Sequence, residues 1–323
     1  MTNVMYVCFE KFMNGINKKN EKECLILKEY SLQNGEKLPL FQFPLLEETK
    51  IVKHCFTTRL GGVSKGVCSS FNLSFARGDD KNAVLENYRR LAEVMNVKMQ
   101  DFVFSDQTHT TNVLRVGAEH RGCGITKPRE YSDIDGLITN ESGVVLSTFY
   151  ADCVPLYFVD PVHKAIGLSH SGWKGTVARM GQKTLEAMHE AFGTEAKDVY
   201  VAIGPSICQD CYEVSEDVAE QFYKEFQCRK NKDVLNKNAN KKNEGIFSEI
   251  ALYKSQMLMD KGNGKYQLDL WKANAIVLLE AGILKEHLTV TNVCTCCNPN
   301  LLFSHRASHG KRGNLGAFLM LSI

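Results

Sequence analysis

The chain is expected to fold as α/β, and three features of its order predict this. Apolar runs of strand length alternate with segments whose apolar residues recur every 3.6 positions. Internal repeats are absent. The connections are short and no linker-like stretch divides the chain, which favours one domain with a mixed sheet.

Residues 1–42 alternate polar and apolar groups in short pieces, Met5 to Phe9, Cys24 to Leu27 and Leu38 to Phe43, and read as a strand-rich extension of the domain that follows from residue 43 to 323. A strand over Val52 to Thr58 runs into Arg59-Leu60-Gly61-Gly62-Val63-Ser64-Lys65-Gly66, a loop whose glycines suit it to hold an anion or substrate. Asp79 and Asp80 can cap a helix with Val84, Leu85, Tyr88, Leu91, Ala92 and Met95 on one face. Strands follow at Phe102 to Phe104, Val144 to Phe149, Val154 to Val159 and Ala165 to Leu168, with Pro161 marking a turn. One helix carries Val177, Met180, Leu185, Met188, Ala191 and Phe192 and stops at Gly193. After a strand at Val199 to Ile203, the stretch from Lys224 to Lys242 gathers seven lysines and arginines against two acids and reads as a solvated loop. Asp269 then caps a helix that ends at Gly282, Leu288 to Val293 is a further strand, and Gly316 to Leu321 closes the chain as another.

Composition excludes several classes. Thirty-nine basic and 37 acidic side chains leave a formal charge of +2, without the single-sign field that nucleic acid or an anionic membrane surface favours. At 44% hydrophobic and 24% charged residues the chain is neither disordered nor fibrous. No apolar run approaches the roughly 18 residues of a spanning helix, and no basic residue precedes the short apolar stretch at Met5, so a cytoplasmic location is expected. In a reducing compartment the 12 cysteines are then packing residues, metal ligands or nucleophiles.

Three segments present soft ligands at strand ends: Asp106-Gln107-Thr108-His109, Ala151-Asp152-Cys153, and His170-Ser171-Gly172-Trp173-Lys174. Two imidazoles and a thiolate suit a zinc ion with a fourth position open to water or substrate. The same residues suit nucleophilic catalysis, with Cys153 activated by His170 and oriented by Asp152 or Asp135. Their spacing alone does not choose between the two. Cys208 and Cys211 form a C-x-x-C, and Cys294, Cys296 and Cys297 a second cluster, so a four-thiolate zinc site enters consideration despite the separation of 83 positions from Cys211 to Cys294.

Seven words occur in order: Thr57-Thr58-Arg59-Leu60-Gly61-Gly62-Val63-Ser64, Asp106-Gln107-Thr108-His109, Asp133-Ile134-Asp135-Gly136-Leu137, Ala151-Asp152-Cys153-Val154-Pro155, His170-Ser171-Gly172-Trp173-Lys174-Gly175, Gly204-Pro205-Ser206-Ile207 and Phe303-Ser304-His305-Arg306. Together they resemble the laccase-domain family, once labelled polyphenol oxidase and since reassigned to purine nucleoside phosphorylase with adenosine deaminase activity. The resemblance runs from about Phe43 to the C-terminus. It implies a single α/β domain of two packed mixed sheets flanked by helices, and a metal centre of His109, Cys153 and His170 at the bottom of a nucleoside pocket. Zinc is the implied ion, with copper as the alternative, and purine nucleosides and phosphate are the implied partners of a monomer or homodimer.

Within that frame Arg59 and Lys174, with Arg306 as a further cation, are placed on phosphate, because phosphorolysis needs an anion beside the ribose C1′. Gln107, Asp135 and Ser206 join them as substrate-binding residues, and Tyr212 borders the pocket. Asp152 is the expected catalytic carboxylate, and Asp152 or Asp135 could shuttle a proton if adenosine is deaminated, although the His-x-Glu and Pro-Cys-x-x-Cys words of cytidine-type deaminases are missing. Multicopper oxidation fits poorly with nine histidines and no His-x-His pair. The rival activity is a cysteine amidase of peptidoglycan-precursor editing, built on Cys153 and His170. A non-enzymatic adaptor using the basic loop at 224–242 is the third reading.

Overall fold

The computed structural model describes residues 24–227 and 246–322, so Met5 to Phe9 and most of the basic loop lie outside the described residues. In chain order the first part holds β1 (Ile26–Ser31), β2 (Lys37–Gln42), α1 (Pro44–Glu47), β3 (Val52–Thr57) and α2 (Lys81–Met95). Then come β4 (Phe102–Phe104), β5 (Val113–Arg115), β6 (Gly136–Thr139), β7 (Val145–Tyr150), β8 (Val154–Asp160) and β9 (Ala165–Ser171). Helices α3 (Trp173–Val177) and α4 (Met180–Phe192) precede β10 (Tyr200–Ile203), β11 (Glu213–Ser215), α5 (Glu216–Phe226) and α6 (Ile246–Gln256). The last elements are β12 (Leu258–Gly262), β13 (Lys265–Leu268), α7 (Leu270–Glu280), β14 (Leu288–Val290) and β15 (Leu315–Leu321).

Two six-stranded mixed sheets result, in the orders β1-β2-β3-β15-β7-β4 and β14-β10-β8-β9-β6-β5, with a small third sheet β11-β13-β12. Pairing is parallel at β4–β7, β5–β6 and β10–β14, and antiparallel at the other strand pairs. Side-chain alternation explains how the sheets stack. Along β15, Leu315, Ala317, Leu319 and Leu321 enter the core shared with Leu137, Tyr157, Ile166 and Leu168 of the second sheet. The intervening Phe318 and Met320 pack on Val84, Tyr88, Leu91 and Met95 of α2. In β8, Val154, Leu156 and Phe158 face α4 and α7, while Tyr157 and Val159 face the first sheet. Strands buried on both faces therefore lie in two middle layers between helices.

Helix α2 is capped as its sequence predicts, with the Asp80 carboxylate accepting from Asn82 N–H, and it ends at Asn96 in the left-handed region. The helix expected over Val177 to Phe192 is interrupted instead. Arg179 takes a φ of +62° between α3 and α4, and its guanidinium reaches Glu225 at 3.1 Å and Glu280 at 2.8 Å. Ties to α5 and α7 thus override a periodicity that runs unbroken through the sequence. The strand expected to reach Val293 stops at Val290. Asn292 turns left-handed with φ +53°, and pairing resumes only as the bridge of Ser206 with Cys294.

Candidate functional site

The β8–β9 hairpin sets the site. Its register places Val154 opposite Ser171 and Pro155 opposite His170, so Cys153, one residue before β8, faces the end of β9. His109 arrives from the loop after β4, at a φ of +68°. Its Nε2 lies 3.9 Å from Cys153 Sγ, and the rings of His109 and His170 meet edge to face at a centroid distance of 4.9 Å. The ligating atoms of His109, Cys153 and His170 all fall within 4.8 Å of one another. That spacing fits a single ion about 2.0–2.3 Å from each donor.

Asp135 holds this cluster together from beneath. Fully buried, its carboxylate accepts from His170 Nδ1 at 2.7 Å, from the backbone N–H groups of Thr108, His109 and Thr110 at 2.9–3.2 Å, and from Thr110 Oγ1. One carboxylate thus fixes both the His170 ring, with Nε2 left to face Cys153, and the backbone of the His109 loop. Burial would raise the Asp135 pKa, but the His170 hydrogen bond and charge and the amides hold it below the ordinary value. Burial also opposes charge on Cys153 and His170, yet their mutual attraction wins. The neighbouring histidines bring the Cys153 thiol down to about 6, and Cys153 and Asp135 raise His170 to about 9. Metal-stripped protein should therefore react with iodoacetamide at Cys153 with a half-maximal rate near pH 6. An ordinary thiol titrates near about 8.5; a profile of that kind would remove the ion pair.

The cluster opens on a cavity of about 270 Å³ lined by His109, Asp152, Cys153, Trp173, Lys174, Ile207, Tyr212 and Leu270. Asp152 sits at φ +98°, its carboxylate accepting from Thr295 Oγ1 and from Arg306 N–H, both at 2.7 Å. Lys174 is exposed at the start of α3, its ammonium 5.7 Å from the Trp173 ring centre. No carboxylate among the described residues pairs with it. Gly172 closes the back: a Cβ there would stand 2.9 Å from His109 Cδ2 and 3.3 Å from Cys153 Sγ. Gly172→Ala is expected to push the two side chains apart and cost about tenfold in metal affinity, measured by competition with a chelator, while the unfolding midpoint hardly moves.

Other predicted site residues lie elsewhere. The Arg59 guanidinium is spent on the carbonyls of Ser69 and Pro299 and stacks on Phe303, away from the cavity lining. The amides of Gly62 and Ser64 donate to Ser70 Oγ and Ser70 O, and that of Val63 to Oδ1 of Asn87 in α2. Gln107 clamps the backbone of Phe149 through both ends of its amide. Ser206 is buried and accepts from Trp271 Nε1 at 2.5 Å. Arg306 contributes its amide to Asp152, while its guanidinium lies over Tyr212 and donates to Glu213 O. Trp173 and Ile207 fall inside the motif words and Leu270 in a predicted helix, but nothing in the sequence marked the three as cavity wall. Arg312, given no role from the sequence, is brought close enough to feel Asp152 and Cys153, and burial followed by Arg77 lowers it to about 10.

The arrangement defines a class: two-sheet α/β proteins with a His-Cys-His centre at the floor of a cavity. Residues 53–322 match the family model for multi-copper polyphenol oxidoreductase laccase, and the chain belongs to that family. It is 34% identical over 268 residues to a Bacillus subtilis protein named purine nucleoside phosphorylase YlmD, covering 82% of this chain and 86% of the other. Crystal structures of YfiH from Bacillus licheniformis and YlmD from Geobacillus stearothermophilus superpose with TM-scores of 0.75 and 0.73 at 28% and 31% identity. They match 88% and 87% of this chain and 96% of each of those. Among the described residues no helix is long and apolar enough to cross a membrane.

Proposed function

We propose that the protein is a purine nucleoside phosphorylase, converting inosine, adenosine, guanosine or methylthioadenosine and phosphate to the base and a ribose 1-phosphate. The observation that carries the reading is the junction in one cavity of a lysine that no carboxylate among the described residues pairs, an aromatic and apolar wall, and the His109-Cys153-His170 floor. His109, Cys153 and His170 would hold zinc, with copper as the alternative. When bound, such an ion polarises a substrate oxygen or nitrogen and acidifies coordinated water. Trp173, Ile207, Tyr212 and Leu270 offer the surface on which a purine ring excludes water. Burial raises the Tyr212 pKa, so its phenol stays a neutral donor. Lys174 supplies the cation beside which phosphate would sit as the departing purine gains negative charge. Incubation of pure protein with inosine and phosphate, followed by chromatography, should yield hypoxanthine and ribose 1-phosphate in equal amounts; absence of both overturns the reading.

A second activity, deamination of adenosine, is favoured by Asp152, whose carboxylate borders the cavity beside Cys153. Its two hydrogen bonds aim it, and each oxygen keeps a lone pair for a proton in transit. Asp152→Asn is expected to lower ammonia release from adenosine by about 10²–10⁴-fold while inosine phosphorolysis falls less. Equal losses in the two assays would assign Asp152 to shape alone. The amidase reading needs Cys153 as a free nucleophile, a position that the shared contact with His109 makes less suitable than a ligand's.

A further inference from the structure

We propose that Cys208, Cys211, Cys294 and Cys297 form a second metal site, a closed four-thiolate site for zinc that braces the cavity wall.

The fold turns a cysteine cluster into two C-x-x-C turns, 208–211 and 294–297, brought face to face across 83 residues of sequence. The parallel pairing of β10 with β14 does this. Beyond the strands it continues through Ser206 N–H to Val293 O and Thr295 N–H to Ser206 O, both at 3.1 Å. All four sulfurs lie within 4.8 Å of one another. Cys211 Sγ is 3.5 Å and Cys208 Sγ 3.9 Å from Cys297 Sγ. A disulfide brings sulfurs to about 2.05 Å, whereas a tetrahedral ion with bonds of about 2.3 Å spaces them about 3.8 Å apart. The observed separations match the second arrangement.

The surroundings suit thiolates. Cys294 Sγ accepts from the backbone N–H groups of Cys208 at 3.3 Å and Cys297 at 3.4 Å, the kind of donor that stabilises a ligating sulfur. Cys208 and Cys294 are buried, Cys211 is half-buried and Cys297 is exposed, so three sides are enclosed and one gives an ion its entry path. Cys296, part of the cluster in the sequence, is outside the foursome. Four protein ligands leave no open position, which separates this site from the His109-Cys153-His170 centre and makes its role structural.

Its location gives that role content. Ile207, adjacent to the first turn, donates its N–H to Asp152 O at 3.0 Å, and Thr295, inside the second, donates its hydroxyl to Asp152 Oδ1. Ile207 and Tyr212, which flank the first turn, both line the cavity. An ion joining the two turns would therefore fix the wall residues and the carboxylate next to Cys153 in one frame.

The test is zinc content by mass spectrometry of the full chain, purified with zinc and without chelator. The wild type should hold two equivalents, Cys153→Ala one, and a Cys211→Ser/Cys297→Ser variant the other. These two sulfurs lie at the surface side of the site, so the variant disturbs little core. A wild-type stoichiometry of one that the double variant leaves unchanged overturns the proposal, as does a Cys211–Cys297 disulfide in freshly purified protein. If the variant does not fold, cobalt loading of Cys153→Ala protein decides. The intense sulfur-to-cobalt absorption of a tetrahedral four-thiolate site supports the proposal, and its absence overturns it.

Discussion

Cys153→Ser is expected to lower inosine phosphorolysis by about 10²–10³-fold, the scale on which one positioned group at a reacting centre counts. Serine keeps the shape of the side chain but removes the soft ligand and the low-pKa thiolate that pairs with His170. Because Cys153 sits where the cavity meets the β8–β9 hairpin, the loss should appear in kcat more than in KM, and the unfolding midpoint should stay close to wild type. Steady-state kinetics with inosine over a range of phosphate concentrations measures both. Undiminished phosphorolysis would separate the thiol from the reaction and return Cys153 to the amidase reading.

Asp135→Asn is expected to do more damage than its distance from the cavity suggests. An amide can accept on one side only, so at least one of the contacts from His170, Thr108, His109 and Thr110 meets a donor instead of an acceptor. Leaving such a buried donor unmet costs about 1–3 kcal/mol, and loss of a carboxylate behind a metal-binding histidine typically costs about 10–100-fold in activity or metal affinity. The pH behaviour has a definite sign. The folded Asp135 pKa lies below its ordinary 3.8, so its contribution to stability is present above that range and fades as pH falls through the lower folded value. The Asn variant should be less stable at neutral pH and should lose less on acidification. Urea unfolding at neutral pH and at about pH 3 gives both numbers; parallel curves for the two proteins would contradict the assignment.

The chain's own pattern was most readable where local physics decides. Asp80 capping α2, the Pro161 turn between β8 and β9, and the apolar strand β15 follow from propensity, turn chemistry and alternation. The interruption at Arg179 was hidden because its cause lies in Glu225 and Glu280, 46 and 101 residues away. Of the site, the trio His109, Cys153 and His170 that the fold gathers within 4.8 Å was visible as residue types, and the seven motif words singled it out. The part played by Arg59 was not, since a guanidinium beside glycines looks alike whether it meets a phosphate or, as here, the Ser69 and Pro299 carbonyls. The two cysteine clusters were visible as a candidate four-thiolate set, but their proximity was not: only the β10–β14 pairing brings together turns 83 positions apart.

The position of β15 bears on how the chain can be made. It is the last strand in sequence, yet it lies in the middle of its sheet, paired antiparallel with β3 on one side and β7 on the other. During synthesis the halves of that sheet must wait, with Phe56, Leu146 and Tyr150 lacking the strand that covers them, until residues 315–321 leave the ribosome. A nascent chain stalled before that point would leave the edges of β3 and β7 open to pairing with other chains.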